Sequence, residues 1–252
     1  MRRTLATPSR SSTVRASALV VIAIVLSAFA PSAQQRPSSQ ADVARGLQGA
    51  RQLLRDQKLD EANAAFHALV DAAHGLGLDA EEAQALCGLG QTFENQSRYK
   101  EAESALRHCL EIAERLHDDA VIARASLSLG QTVDVIGRTA EAVSLANRAI
   151  AVYDALQDPK GSASARLVLL RIQKTSLEEE RAISGRIVED ARRAGDRRLE
   201  ADALHDFGDA LFNENRFEEA LQTLTRARNL DHGHWHCVLS RRRPAGTLAG
   251  VA

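Results

Sequence analysis

The side chains best equipped for chemistry gather near the C-terminus. Asp231-His232-Gly233-His234-Trp235-His236-Cys237 puts three imidazoles and a thiol within seven positions, a donor set that suits zinc or copper. Such ligands bind only when a fold fixes their geometry, and this run follows the last helical pattern with no element to hold it. No second cluster completes the set, so no metal is expected. Ser97-x-x-Lys100 has the spacing of a hydrolase nucleophile and its lysine, but it falls in a turn between helical patterns. The chain has no phosphate-binding glycine loop, zinc-protease helix motif or nucleophile elbow. These residues predict no catalytic group, no cofactor and no small-molecule substrate. Cys87, Cys109 and Cys237 are odd in number and form no disulfide framework. Cys87 and Cys109 fall within helical patterns, where cysteine usually fills a core, and a bridge between them would need an oxidising compartment.

The first 33 residues stand apart. Arg2, Arg3, Arg10 and Arg15 make a basic head with no acid, and Ala16 to Ala30 is an apolar run containing Leu19, Val20, Val21, Ile22, Ile24, Val25, Leu26 and Phe29. A basic head before such a run reads as a secretory signal peptide, and the run falls short of the roughly 20 residues a bilayer span needs. Cleavage is expected after Ala33, giving a periplasmic or secreted protein. The rival reading is a membrane anchor left uncleaved, because Pro31 interrupts the recognition stretch. No cysteine ends the run, which argues against a lipoprotein. The charged residues number 32 basic and 33 acidic in all; without the four leader arginines the balance is about −5. A mildly acidic domain argues against nucleic acid as the partner.

Aromatics make up only 4% of the 252 residues, and alanine and leucine carry most of the apolar content. Such a composition favours helix over strand. Self-similarity then decides the architecture. Gly88-Leu89-Gly90-Gln91-Thr92-Phe93 returns 40 residues later as Ser128-Leu129-Gly130-Gln131-Thr132-Val133. Leu59-Asp60-Glu61-Ala62, Tyr99-Lys100-Glu101-Ala102 and Thr139-Ala140-Glu141-Ala142 keep the same interval, and Phe217-Glu218-Glu219-Ala220 closes the series. Asp79, Asp119, Asp158 and Asp196 recur at 40, 39 and 38 residues, each before a helical pattern. An aspartate there is expected to cap free backbone N–H groups, with Asp79 and Glu82 at capping-box spacing and Pro159 at a first helical position. Gly75, Gly77 and Gly195 are expected to end the preceding helices. Each unit thus holds two amphipathic helices; in the second, Leu86, Leu89, Gly90 and Phe93 share a face, as do Ala102, Ala105, Leu106, Cys109, Ile112 and Ala113.

Leu86-x-x-Leu89-Gly90-x-x-Phe93 with Ala102 and Leu106 resembles the tetratricopeptide repeat. Leu204-x-x-Phe207-Gly208-x-x-Leu211 with Ala220 and Leu224 repeats the pattern, while Ala50, Leu53, Ala62, Phe66 and Leu129, Gly130, Ala142, Ala149 keep parts of it. A period near 40 resembles the longer-helix, kinesin-light-chain-like type. The resemblance implies an all-α solenoid of about five antiparallel helix pairs. The expected division is a signal peptide 1–33, a linker 34–40, repeats at about 41–78, 79–118, 119–157, 158–195 and 196–231, and an irregular tail 232–252. The fourth unit departs: Ala182 keeps the 40-residue interval from Ala142, yet Ile187, Val188, Ala191 and Ala194 fit better if the register slips by about two.

In such arrays the first helix of each pair lines a concave groove. The resemblance therefore places Arg51, Arg55, Gln91, Asn95, Arg124, Gln131 and Asn213, with Glu94, Asp134 and Asp209, towards a protein or peptide partner. Amides can pair with an extended backbone, and arginines with carboxylates. The Lys-and-Asn carboxylate clamp of some family members has no counterpart at matching positions. The expected function is an exported, bacterial-type interaction scaffold. The alternative is a regulatory array belonging to a larger protein with a catalytic or signalling domain, such as a caspase-like protease. Nothing after Leu230 reads as a capping helix, so Leu221, Leu224 and Ala227 are expected to be partly uncovered, through truncation of a longer chain or for self-association.

Overall fold

The computed structural model describes residues 37–230 apart from 38 and 174. The leader and the tail from residue 231 onward, with its histidines and Cys237, lie outside the described residues. Those described fold into ten α-helices and no strand, as the repeat implied. They pair as α1 (Gln40–Arg55) with α2 (Leu59–Leu76), α3 (Asp79–Asn95) with α4 (Tyr99–Leu116), and α5 (Asp119–Val135) with α6 (Thr139–Ala155). The series continues with α7 (Pro159–Ile172) and α8 (Leu177–Arg193), then α9 (Arg197–Asn213) and α10 (Phe217–Leu230). No described helix is long and apolar enough to cross a membrane.

One device makes almost every corner. At the turn inside a pair, Lys58, Arg98, Arg138 and Arg216 donate their N–H groups to the carbonyls of Leu53, Phe93, Val133 and Leu211 at 2.8–3.0 Å. Leu78, Asp118, Asp158 and Asp196 do the same between pairs, reaching Ala73, Ala113, Tyr153 and Ala191. Each bond requires a left-handed residue just before the donor, which satisfies carbonyls the helix end leaves free. Glycine fills that position at Gly77, Gly137 and Gly195, but Gln57, Ser97, His117, Gln157 and Asn215 adopt it too, with φ of 53–61°. Gly75, expected to end a helix, instead lies inside α2.

The closing bond also fixes the next helix start. Asp158 and Asp196 cap α7 and α9 through the N–H groups of Gly161 and Leu199, and Pro159 sits in the first turn as expected. For α5 the cap is Asp118, accepting from Val121, rather than Asp119. No capping box forms at Asp79, because Leu78 occupies the cap position. Asp79 pairs with Arg115 instead, and Glu82 faces His74 at 3.2 Å. The one reciprocal capping box among the described residues is Ser176 with Glu179, opening α8.

Packing follows a size rule. A Cβ on Gly90 would stand 2.5 Å from Leu106, and one on Gly208 would stand 2.7 Å from Leu224, so glycine lets the two helices of a pair close over a large side chain. Between pairs, Gly88 lies under Phe66 and Gly161 under Tyr153. The fourth pair inverts the rule. Leu170 stands where Gly130 stood 40 residues earlier, and Ser184 takes the place of Ala146 at an interval of 38. Buried Ser184, Ile187 and Ala191 match Ala146, Ala149 and Tyr153, whereas Ala182 is exposed, so the register slips by two. The cause is local: α7 has 14 residues, not 17, and Gln173 leaves it extended rather than left-handed.

First helices approach first helices across the repeats: α1 meets α3, α3 meets α5, α5 meets α7, and α7 meets α9. Second helices make no equally close cross-repeat approach, so they diverge and the array curves with first helices inside. At the last pair Leu221 is exposed and Leu224 half-buried over Gly208, as expected, whereas Ala227 is fully buried; Phe212 and Phe217 are exposed apolar side chains there too.

The Cys87–Cys109 bridge is formed, joining α3 to α4 with Cα atoms 5.5 Å apart, and both cysteines are buried. The hairpin brings together two positions 22 residues apart in sequence. Closing a loop of that length in the unfolded chain corresponds to about 3 kcal/mol. Reduction, or Cys87→Ala with Cys109→Ala, is expected to lower Tm by roughly 6–12 °C in differential scanning fluorimetry; an unchanged Tm would contradict a stabilising staple.

Candidate functional site on the concave face

The residues expected in the groove all lie on first helices, but their surroundings divide them. Arg55, Asn95, Gln131 and Asn213 are exposed, whereas Arg51, Gln91 and Arg124 are half-buried. Arg55 is held on its own helix by Gln52, at 3.0 Å from its Nε. Arg51 crosses from α1 to α3, where its Nη2 donates to Gln84 Oε1 at 2.8 Å. Arg124, one repeat beyond Gln84 at an interval of 40 residues, extends this row onto α5. Gln84 itself was not anticipated; its place one period before Arg124 was the available signal.

Arg124 has no hydrogen bond or ion pair among the described residues. Burial, and then the positive charge of Arg51, hold its guanidinium below its usual range. Neither arginine faces a described carboxylate within ion-pair distance. By contrast, Arg166 meets both Asp154 and Asp190 at 2.7 and 2.8 Å. The row Arg51–Gln84–Arg124 is therefore a half-buried patch of positive charge without an ion pair, Asp118 acting on Arg124 only beyond ion-pair distance.

Further along α3 the sign reverses. Glu94 accepts from the Thr132 hydroxyl of α5 at 2.6 Å and pairs with no described cation. Burial pushes its carboxyl up to about 7, against the opposing pull of that hydroxyl. Towards the other end, Leu170, Arg171, Gln173, Glu180, Asp206, Asp209, Ala210 and Asn213 line a hollow of about 370 Å³. Arg171 and Asp206 are paired there at 2.5 Å. Burial, then Asp206 and Glu214, push Glu180 up, so this end leans acidic. The groove is thus basic at its N-terminal repeats, carries one buried acid midway, and turns acidic at the last two. No group of three or more potential metal ligands gathers among the described residues.

The raised Glu94 carries a stability consequence. In the unfolded chain it titrates near 4.5, in the folded one near 7. Below pH 4.5 the carboxyl is protonated in both states and imposes no penalty; between 4.5 and 7 the unfolded chain gives up a proton that the folded one keeps, so stability declines across that window and is level above it. Glu94→Gln is expected to flatten that decline and to raise stability at pH 8 by about 2 kcal/mol, discounted for partial exposure. Urea unfolding of both proteins at pH 5 and pH 8 measures this; equal pH dependence would contradict it.

The tetratricopeptide repeat family model matches residues 81–155. No curated protein matches the chain. Among solved structures, a putative kinesin light chain from Podosopora anserina with nearly identical TPR-like repeats aligns at TM-score 0.60 and 13% identity, covering 82% of this chain and 100% of that one. A variant of the same protein aligns at 0.60 and 14%, covering 75% and 94%. BtubC (BKLC) from P. vanneervenii aligns at 0.54 and 12%, covering 84% and 95%. At these identities the likeness concerns the fold. Residues 81–155 thus carry tetratricopeptide repeats, and the same helix pairing in every described unit gives the described residues the fold of kinesin-light-chain TPR-like repeats.

Proposed function

We propose that this protein is an exported scaffold whose concave groove binds a peptide or protein segment. The observation that carries the reading is Arg124, half-buried on the inner face with no acceptor among the described residues. A charge withdrawn from water without a partner is costly, and inner-face cations left in that condition are understood if a partner completes them. The amides of Gln91, Asn95, Gln131 and Asn213 offer donors and acceptors to an extended backbone along the same face. Export is supported by the basic and apolar leader together with the buried Cys87–Cys109 bridge, since disulfides persist in oxidising compartments. No reacting constellation accompanies the groove, in keeping with a repeat family whose members generally serve as non-catalytic scaffolds.

A second contact surface is favoured by the last pair, where Phe212, Phe217 and Leu221 are 58%, 56% and 68% exposed. Large apolar side chains grouped at the end of an array suit self-association. Size-exclusion chromatography with light scattering is expected to show a dimer that Leu221→Glu dissociates; a monomer at all concentrations would remove that second reading.

Capture from periplasmic extract tests the groove itself. The protein with Arg51, Asn95, Arg124 and Asn213 all changed to Ala is expected to lose captured partner at least about tenfold, the effect of removing two charge-assisted bonds. Undiminished capture would place the binding surface elsewhere.

A further inference from the structure

The inner face holds two guanidinium groups and one acid in fixed positions, none of them in an ion pair among the described residues. At one end of α3 the guanidinium of Arg51 is anchored by Gln84, a bond that uses one of its five N–H donors. Arg124 extends the row on α5 with all its donors unused among the described residues. At the other end of α3, Glu94 is engaged only by a neutral hydroxyl, that of Thr132. Two charges of one sign are thus held together, and the opposite sign is held apart from them by the ten residues from Gln84 to Glu94. At the helical rise this is about 15 Å.

The fold gains nothing by this arrangement. Several charged side chains of the array are paired across repeats, as Arg107 with Glu141 and Lys160 with Asp196. Arg51, Arg124 and Glu94 are half-buried and have no ion-pair partner among the described residues, so water compensates them poorly. A flexible surface array would lower these costs by moving, but Gln84 and Thr132 hold two of the groups in place.

We infer that the groove selects a segment carrying both charges, with a carboxylate seated between Arg51 and Arg124 and an amine or guanidinium on Glu94, roughly 15 Å apart. This rests on the groove reading and adds to it the partner's charge pattern and polarity. In an extended segment alternate side chains share a face, so at 3.3 Å per residue the fitting spacing is four positions, about 13 Å. The order of charges also fixes how the segment lies across α3, because the reversed orientation would set like charges against each other.

Four acetylated, amidated pentapeptides test this: Glu-Ser-Ala-Ser-Lys, the same with Glu changed to Gln, the same with Lys changed to Gln, and the doubly neutral form. Binding is followed by amide and arginine Nε–H shifts in α1, α3 and α5 of the full chain, with inorganic phosphate as a free-anion control. The doubly charged peptide is expected to bind about fivefold more tightly than either singly charged one. Arg124→Ala is expected to abolish only the advantage conferred by Glu, and Glu94→Gln only that conferred by Lys. Groove shifts that ignore peptide charge would overturn the inference while leaving a groove that binds peptides. Shifts with phosphate alone, or none with any peptide, would also overturn it. Thermal melts of both variants exclude misfolding as the cause of lost binding.

Discussion

The close approach of neighbouring helices is what the rest of this molecule depends on. No hairpin here has enough apolar surface to enclose itself: α3 and α4 bury their contacts partly against each other and partly against α2 and α5. Stability in such an array is a sum of hairpin and neighbour terms, and both depend on distance. Gly90 under Leu106 and Gly88 under Phe66 set that distance, one within a pair and one between pairs. A methyl group added at either glycine must push a packed side chain aside, which typically costs 1–3 kcal/mol. Leu170 and Ser184 show the rule from the other side. There the first helix carries the large residue and the second the small one, in a register shifted by two where α7 is shorter.

Function inherits this geometry. Because first helices lie closer across repeats than second helices do, the array bends and presents α1, α3 and α5 side by side on its inner face. Side chains 33 and 38 residues apart then meet there, as Arg51 does Gln84 and Glu94 does Thr132. The curvature limits solvent access on the inner face, which turns ordinary polar residues into half-buried ones. That is how Glu94 comes to titrate near 7 and Arg124 to lack compensation. The Cys87–Cys109 bridge locks one of the hairpins that carries the inner face.

Fold class and repeat type were legible because they rest on periodicity. Leu89-Gly90 and Leu129-Gly130 state the interval, and Ala102 and Ala142 state the small face. Corners were less legible. Glycine was the visible marker for left-handed turns, yet Gln57, Ser97, His117, Gln157 and Asn215 adopt the same conformation because the closing bond from the next residue compensates its cost. The caps moved for the same reason: the residue that closes one helix, such as Asp118, is also the one that begins the next. On the inner face residue types could be read, but not their neighbours. Gln84 escaped notice because an isolated glutamine carries no signal until α1 brings Arg51 to it. The bridge between Cys87 and Cys109 likewise needed the hairpin crossing to bring two helical positions within reach.

The account makes cohesion a property of neighbours, so the ends of the array must be weaker than its middle. Hydrogen exchange followed by mass spectrometry on the intact, oxidised chain measures this directly. Protection is predicted to be greatest in α3 to α6, which have neighbours on both sides, and to fall towards α1 and α10. Equal protection in every helix, or greatest protection at α10, would contradict the claim that each hairpin is held by the next.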